Sequence, residues 1–247
     1  STGKPAPFYS TTYDYYNALT TTQRMLEIRE VDGTDIIANL NPMTIQPTGA
    51  FIRTLHAAST VGAPIISAFS GNPSPHFRQG RRLDEVVRLV ERSRATVLWG
   101  VTSYIRRVIA RALELRADFS PVRRVFVTGE AAAPGLREAV VAELTAMGAR
   151  DPFVSVSYGQ TETQAGMVEC RPDGGMHNPA PELFYWEIVD PQTHAPLPEG
   201  SEGLVLLTHL DRRGTLLLRY ALGDISAITT ARCPHCGRIG ERFICTP

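Results

Sequence analysis

The sequence predicts an α/β protein in which a mostly parallel sheet is covered by helices and followed by a small antiparallel β-barrel-like region. Between residues 83 and 156, short apolar segments alternate with segments of helical periodicity, which is typical of strand–helix–strand units. From residue 184 onward, short strand-like segments separated by Pro and Gly replace that pattern, as in small antiparallel barrels. We expect an α/β region over residues 1–180, incomplete at its N-terminus, and a β-barrel-like region over 181–247.

The first third of the chain is rich in turns. Phe51, Leu55 and Ala58 lie at helical spacing, so a helix is predicted around them. Gly62 and Pro64 then end that helix. The elements expected in this part are helices over residues 14–28 and 48–61, strands over 35–40 and 65–66, and a loop over 70–79.

The middle of the chain has the most regular pattern. Leu83, Val87 and Val90 lie on one face of a predicted amphipathic helix. Ser103 is a candidate N-cap of the next helix, and Pro134 suits the first turn of the last one, which extends to about residue 147. The expected strands are residues 96–99, 125–127 and 153–156.

The β-barrel-like region is punctuated by Pro191, Pro198, Gly200 and Gly214. These residues interrupt strands and favour turns. The expected strands are residues 184–189, 203–208, 215–219 and 225–229.

The amino-acid composition argues against several classes of protein. The 25 basic and 25 acidic residues cancel, so the chain has no general attraction to nucleic acid or to an anionic membrane. No apolar run approaches the roughly 20 residues that a membrane span requires. Four cysteines are too few for a disulfide-built scaffold of 247 residues. A cytoplasmic location is the expectation.

Three segments carry glycines and polar side chains that suit ligand binding, and the first two directly follow predicted strands. Thr128-Gly129-Glu130-Ala131 follows the 125–127 strand, Ser157-Tyr158-Gly159-Gln160-Thr161-Glu162 follows the 153–156 strand, and Tyr220-Ala221-Leu222-Gly223-Asp224 lies in the β region. In α/β proteins, ligands bind at the carboxyl ends of strands. Glycines, an aromatic face, a hydroxyl and carboxylates suit a nucleotide with a metal ion on its phosphates. Taken singly, segments like the first and third are more often just turns, and the alternative for the second is a helix-capping motif.

Together, these segments resemble motifs of the adenylate-forming superfamily of acyl-CoA synthetases and adenylation domains, and most closely its phenylacetate–CoA ligase-like branch. Tyr158-Gly159-Gln160-Thr161-Glu162 is similar to its Tyr-Gly-x-Thr-Glu motif, and Tyr220 to Asp224 to its Tyr-x-x-Gly-Asp motif. Ser1-Thr2-Gly3-Lys4-Pro5 resembles the back half of its phosphate loop. A kinase-type P-loop is excluded because Pro5 stands where that motif needs Ser or Thr.

The resemblance implies a role for each matched residue. Thr161 would hydrogen-bond the α-phosphate, and Glu162 would hold the Mg²⁺ that bridges the ATP phosphates. Asp224 would accept hydrogen bonds from the ribose. The remaining implied nucleotide contacts are Tyr158 and Gly159, the turn Gly129, Glu130 and Ala131, and the phosphate loop Ser1, Thr2, Gly3 and Lys4.

Cysteine spacing predicts a separate metal site. Cys233 and Cys236 have the two-residue spacing of a zinc knuckle, and Cys170 and His177 are candidates for the other two ligands. A Cys₃His set fills a tetrahedral shell, so the Zn²⁺ would be structural. The phenylacetate–CoA ligase-like branch often carries a similar pattern. His235 in place of His177, or four unrelated residues, remain alternatives.

The resemblance implies an ATP-dependent carboxylate–CoA ligase that forms an acyl-AMP and then a thioester, with an aryl or arylacetic acid as the expected substrate. A carrier protein in place of CoA is one alternative, and a non-catalytic zinc-stabilised nucleotide-binding module is another. The front of the phosphate loop and the mobile C-terminal domain with its adenylation lysine have no counterpart in these 247 residues. We therefore expect an internal piece of a longer enzyme that is inactive alone. A homodimer is left open.

Isolated histidines and tryptophans are expected to be ordinary. His56 and His209 are interpreted as surface or core residues, and Trp99 and Trp186 as core residues. The loop after Trp99 is a candidate wall of an aryl pocket.

Overall fold

The computed structural model describes residues 7–43, 49–130 and 132–244. The helices in these residues are α1 (Thr12–Ile28), α2 (Gly49–Val61), α3 (Leu83–Ser93), α4 (Thr102–Glu114) and α5 (Leu136–Ala146). The strands are β1 (Ile37–Asn39), β2 (Ile65–Ser67), β3 (Val97–Val101), β4 (Arg124–Thr128), β5 (Phe153–Gly159), β6 (Gly166–Glu169), β7 (Met176–His177), β8 (Phe184–Val189), β9 (Gly203–His209), β10 (Tyr220–Ser226), β11 (Ile228–Thr229) and β12 (Arg242–Phe243).

The strands of the described residues form a large sheet and a small one. The large sheet has the order β11-β12-β7-β6-β5-β4-β3-β1-β2, and the small sheet has the order β10-β9-β8. From β2 to β5 all neighbours are parallel, whereas from β5 to β11 all are antiparallel. The predicted α/β class with a small antiparallel sheet is confirmed.

Side chains on the strands alternate between two apolar clusters on opposite faces of the large sheet, as the strand period of two requires. On β3, Leu98 lies in the larger cluster, while Val97 and Trp99 lie in the smaller one. The rings of Trp99 and Phe126 meet edge to face with centroids 5.4 Å apart. Helices supply Val87, Ile105 and Leu144 to the larger cluster and Leu26, Ala57 and Ala58 to the smaller. Helices therefore cover both faces of the sheet.

Most predicted elements of the α/β region are confirmed, with shifts at their ends. Helix α1 begins at Thr12, because Thr11 and Asp14 form a capping box in which the Thr11 amide donates to the Asp14 carboxylate at 2.7 Å. The β5 strand extends three residues beyond the predicted end, because Ser157, Tyr158 and Gly159 pair with β6. The short β6, β7 and β12 strands were not predicted from the sequence.

Two predicted strands of the later region are wrong. Residues 215–219 form no strand, because the backbone is bonded irregularly there: the Leu217 amide donates to His209 Nδ1 and the Arg219 amide to Thr208 Oγ1. The single strand predicted over 225–229 is divided between β10 and β11. A division of the chain near residue 180 stays a prediction, and β11 and β12 beyond it pair within the large sheet.

No helix within the described ranges is both long enough and apolar enough to cross a membrane.

A buried carboxylate lies where the large sheet changes from parallel to antiparallel pairing. Glu169 at the end of β6 accepts a hydrogen bond from the Val156 amide at 2.7 Å. The same carboxylate receives two bonds from the Arg137 guanidinium, at 2.6 and 2.8 Å. Its side chain is only 4% exposed. Glu169 thus satisfies a β5 amide and fixes α5 against the sheet.

We predict that Glu169→Gln lowers the free energy of unfolding by about 3 kcal/mol, because it leaves the charge of Arg137 without its partner in a buried setting. Glu114→Gln is the matched control, since the Glu114 side chain is 64% exposed and pairs with Arg111 at the surface. The control should change stability by less than about 1 kcal/mol. Urea denaturation measures both, and equal small effects would contradict this interpretation of Glu169.

Candidate functional site

The first two predicted nucleotide-binding segments, where the structure describes them, follow the carboxyl ends of parallel strands. β3, β4 and β5 are neighbours in the sheet, and Val101 at the end of β3 is paired with Thr128 at the end of β4. Gly129 turns the chain directly after β4 with φ of +81°, a conformation that favours glycine. Three strand ends therefore deliver their following segments to one cleft.

Glu130 has a local structural role at this edge. Its carboxylate accepts hydrogen bonds from the Ser103 amide at 2.7 Å and the Ser103 hydroxyl at 3.0 Å. The predicted N-cap, Ser103, is wrong: α4 begins at Thr102, and its N-cap residue Val101 makes no side-chain capping bond. Glu130 supplies the missing acceptor and places negative charge at the positive end of the α4 dipole. Its role at the nucleotide stays a prediction.

The segment between β5 and β6 carries Thr161 and Glu162. Its two ends approach closely, since a Cβ on Gly159 would lie 2.7 Å from the Ala165 carbonyl oxygen. Thr161 is exposed and Glu162 half-buried. None of the ion pairs within the described residues includes the Glu162 carboxylate, so it is available as a ligand beside the cleft.

His209 anchors this segment from the small sheet. The Leu217 amide donates to Nδ1 at 3.1 Å, so Nε2 carries the proton and donates to the Glu162 carbonyl oxygen at 2.9 Å. Burial lowers the pKa of His209, which keeps this neutral tautomer. His209 is a core residue, as expected, but its positioning role was missed. Its partner lies 47 residues away, and no local pattern links them.

A hydrogen bond joins two of the predicted motifs. The Tyr158 hydroxyl donates to Asp224 Oδ2 at 2.6 Å. Burial raises the pKa of Tyr158, and the Asp224 charge raises it further, so the phenol stays a neutral donor. The β10 register shifts between Ala221 and Ile225, and this bulge lies where Asp224 meets Tyr158.

Two cavities open at this edge. The inner cavity, of about 230 Å³, lies against the ends of β3, β4 and β5 and is lined by Met25, Arg53, Trp99, Val101, Gly129 and Thr161 among others. The outer cavity, of about 360 Å³, lies between α1 and α2 and is lined by Tyr15, Leu19, Ile52, Arg53, His56 and Thr161 among others. Arg53 and Thr161 belong to both, so the two cavities adjoin there.

The four residues predicted as zinc ligands come together. The ligand atoms of Cys170, His177, Cys233 and Cys236 all lie within 4.8 Å of one another. The sulfurs of Cys170 and Cys233 are 3.7 Å apart, and His177 Nε2 lies 3.3 Å from the Cys170 sulfur and 3.5 Å from the Cys236 sulfur. Tetrahedral zinc with Zn–S bonds of about 2.3 Å requires sulfurs about 3.8 Å apart and a sulfur-to-nitrogen separation of about 3.5 Å.

The local fold is built around this cluster. The Cys233 amide donates to the Arg238 carbonyl and the Gly237 amide to the Cys233 carbonyl, which closes the turn holding Cys236. A Cβ on Gly174 would lie 2.9 Å from the Cys170 sulfur, so glycine leaves room for the cluster. Without a metal ion, burial raises the pKa of Cys170 to about 12 and lowers that of His177 to about 4. Three thiols and an imidazole of this geometry form a donor set that fits zinc.

The remaining predicted residues lie outside the described part of the chain. These are Ser1, Thr2, Gly3, Lys4 and Ala131. Arg53, which lines both cavities, was not identified from the sequence. Nothing in its neighbourhood resembles a motif, and only the packing of α2 against the sheet edge brings it to the cleft.

Known proteins are similar to this chain in sequence. The sequence matches the AMP-binding enzyme family over residues 1–209. A phenylacetate-coenzyme A ligase from Thermus thermophilus is 46% identical over 60 residues, which cover 24% of this chain and 13% of that protein.

Solved structures share the fold at low sequence identity. A 2-hydroxyisobutyryl-CoA ligase in the postadenylation state, in complex with R3-HIB-AMP, superposes with a TM-score of 0.82 at 20% identity, covering 98% of this chain and 49% of that one. McyG A-PCP complexed with phenylalanyl-adenylate gives a TM-score of 0.69 at 16% identity, covering 98% and 39%. The chain thus spans about half the length of the ligase and a smaller share of the McyG protein.

The adenylate-forming resemblance of the motifs is thereby confirmed. The family match covers 209 of 247 residues, and the described residues have the corresponding fold. The chain belongs to the AMP-binding enzyme family.

Proposed function

We propose that the chain carries the nucleotide-binding and acid-binding core of an ATP-dependent carboxylate–CoA ligase. In the first half-reaction, a carboxylate oxygen of the acid attacks the α-phosphorus of ATP, and pyrophosphate leaves. In the second, the CoA thiolate attacks the acyl carbonyl carbon, and AMP leaves. The proposed substrate is an aryl or arylacetic acid.

The observation that carries this proposal is the bond between Tyr158 and Asp224. It joins two motifs that lie 66 residues apart in the chain. The Tyr158 hydroxyl donates its hydrogen bond to Oδ2 of Asp224, and Oδ1 of the same carboxylate remains as an acceptor for ribose hydroxyls. An aromatic face and a ribose acceptor are thereby held in one place at the sheet edge.

Thr161 and Glu162 supply the chemistry beside the reacting phosphate. The Thr161 hydroxyl would donate to a non-bridging oxygen of the α-phosphate, where negative charge builds during the attack. Glu162 would hold Mg²⁺, which neutralises phosphate charge. His209 bonds the backbone of this segment, which would hold the backbone that carries both side chains in place before the substrates bind.

The inner cavity suits the apolar body of the acid. Met25, Trp99 and Val101 line it beside Thr161 and Gly129, so an aromatic ring placed there would keep its carboxylate near the phosphate. Trp99 is mostly buried in the core and offers only part of its surface. The name of the Thermus thermophilus relative supports both an arylacetic acid and CoA. A carrier protein is the alternative acceptor, as the A-PCP title suggests for McyG.

We also propose a structural zinc ion at Cys170, His177, Cys233 and Cys236, in a cytoplasmic protein whose thiols stay reduced. Support comes from the ligand separations and from the lack of a fifth donor among the described residues of the cluster. The site would link the segment that follows β6 to the turn before β12, and so stabilise the antiparallel half of the large sheet.

For the metal, we predict about one zinc ion per chain by plasma mass spectrometry. The double change Cys233→Ser with Cys236→Ser should remove nearly all of it and lower the urea midpoint, because two thiolate ligands are lost. Cys245→Ser is the matched control and should keep its zinc. Equal zinc content in all three proteins would contradict this assignment.

For catalysis, we predict that Glu162→Gln in the full-length protein lowers acid-dependent ATP–pyrophosphate exchange about 100-fold without changing the urea midpoint, because the variant loses the carboxylate at the phosphates. Glu114→Gln, at the opposite end of α4 from the sheet edge, should exchange like the unmodified protein.

A non-catalytic nucleotide-binding module predicts a different result. Such a module would show no acid-dependent exchange in any of these proteins, while still binding nucleotide. Full exchange activity in Glu162→Gln would contradict the role assigned to its carboxylate.

A further inference from the structure

Arg53 is a charged side chain that has no carboxylate partner among the described residues. It lies on α2 and lines both the inner and the outer cavity. Its Nε donates to the Gly49 carbonyl oxygen at 3.2 Å, within its own helix. None of the ion pairs of the described residues includes it. The guanidinium is therefore available to a ligand.

Several other partly buried arginines of the described chain are neutralised by carboxylates. Arg106 pairs with Glu143, Arg123 with Asp35, and Arg137 with Glu169. Burial lowers the pKa of Arg53, but a guanidinium still carries its charge at neutral pH. A partly desolvated charge without a counter-charge is unfavourable, so an anion that enters the cleft gains from this arrangement.

Arg53 determines the charge of the lining of both cavities. Neither cavity is lined by an aspartate or a glutamate among the described residues, and Arg53 is the arginine that both share. Gly49 leaves room for the folded-back guanidinium, because a Cβ there would lie 2.9 Å from Arg53 Nη2. The cleft is thus apolar or neutral around one positive charge.

The reacting carboxylate is a poor partner for that charge. It is an anion in the ground state but becomes a neutral acyl group when the acyl-adenylate forms, so pairing with it would stabilise the substrate more than the transition state. A second carboxylate on the acid keeps its charge through both half-reactions. Its pairing with Arg53 would persist throughout.

We propose that Arg53 binds a second carboxylate on the substrate, and that the protein acts on dicarboxylic acids with an aromatic body. This inference rests on the proposed ligase function and narrows its substrate class. The ring would lie in the inner cavity against Met25 and Trp99, with the reacting carboxylate toward Thr161 and the second carboxylate at the guanidinium.

The test compares matched acids. Acid-dependent ATP–pyrophosphate exchange by the full-length protein is measured with 3- and 4-carboxyphenylacetic acid and with the same acids carrying a methyl ester on the ring carboxylate. A charge-assisted bidentate pair predicts a kcat/KM about 10- to 100-fold higher for the diacids. Arg53→Met should remove this preference by lowering turnover of the diacids far more than turnover of the esters.

Two further variants keep the test decisive. Arg53→Lys should retain part of the preference, because it keeps the charge but not the paired donors. Arg92→Met, an exposed change on α3, should retain all of it. Equal turnover of diacids and esters by the unmodified protein would overturn the inference, as would an equal loss for both in Arg53→Met.

Calorimetric titration of the diacids and esters without ATP separates this inference from the proposed function. Diacid binding that is lost in Arg53→Met, in a protein that shows no exchange, would support the anion site and reject the ligase. Exchange that favours the esters would support the ligase and reject the anion site. Should Arg53→Met fail to fold, the unmodified protein and Arg53→Lys provide the same comparison.

Discussion

The arrangement of this molecule depends on the contacts that the buried Glu169 carboxylate makes with the Val156 amide and with Arg137. A parallel sheet that becomes antiparallel at one strand leaves backbone groups whose partners the regular ladder does not supply. At β5 the Val156 amide is such a group, and Glu169 accepts its hydrogen bond at 2.7 Å. The same buried carboxylate holds Arg137 from α5, so sheet, helix and change of strand direction are fixed by one side chain.

A second buried cation shares this environment. Arg29 is fully buried, lies over the Phe126 ring at 4.2 Å and donates to the hydroxyls of Ser155 and Ser157 on β5. Burial lowers its pKa to about 9, and the negative charge of Glu169 opposes that shift. Because Ser157 also lines the inner cavity, the charges that hold β5 in place also support the floor of the proposed acid site.

The proposed nucleotide edge and the cysteine cluster lie at opposite ends of strand β6. The Thr161–Glu162 segment leaves β5 and returns as β6, and Cys170 follows Glu169 directly. Thus the proposed nucleotide edge and the cysteine cluster are separated by a single short strand. The proposed zinc ion would have no chemical role in adenylation. It would instead hold β6 and β7 in position, and β6 is the strand that follows the Thr161–Glu162 segment.

The α/β class and the four residues of the cysteine cluster could be predicted from the sequence. Helical periodicity and the spacing of Cys233 and Cys236 are local signals, and Cys170 and His177 were the candidates for completing a four-ligand set. The strands β6, β7 and β12 were missed, since they are two to four residues long and exist through pairing across the chain. Residues 215–219 have an apolar run typical of a strand, yet His209 and Thr208 take their backbone bonds. His209 bonds the Glu162 carbonyl and Arg53 lines both cavities; no sequence neighbour identifies either placement, so only the fold reveals them.

The most direct test is ATP–pyrophosphate exchange by the full-length, folded, zinc-loaded protein with a panel of benzoic, phenylacetic, anthranilic and short aliphatic acids, together with ring-carboxylated derivatives of the aromatic ones. We expect exchange that depends on the added acid and is greatest with aromatic acids. Exchange with none of these acids, from protein that still binds ATP, would contradict the assignment of this cleft to carboxylate activation.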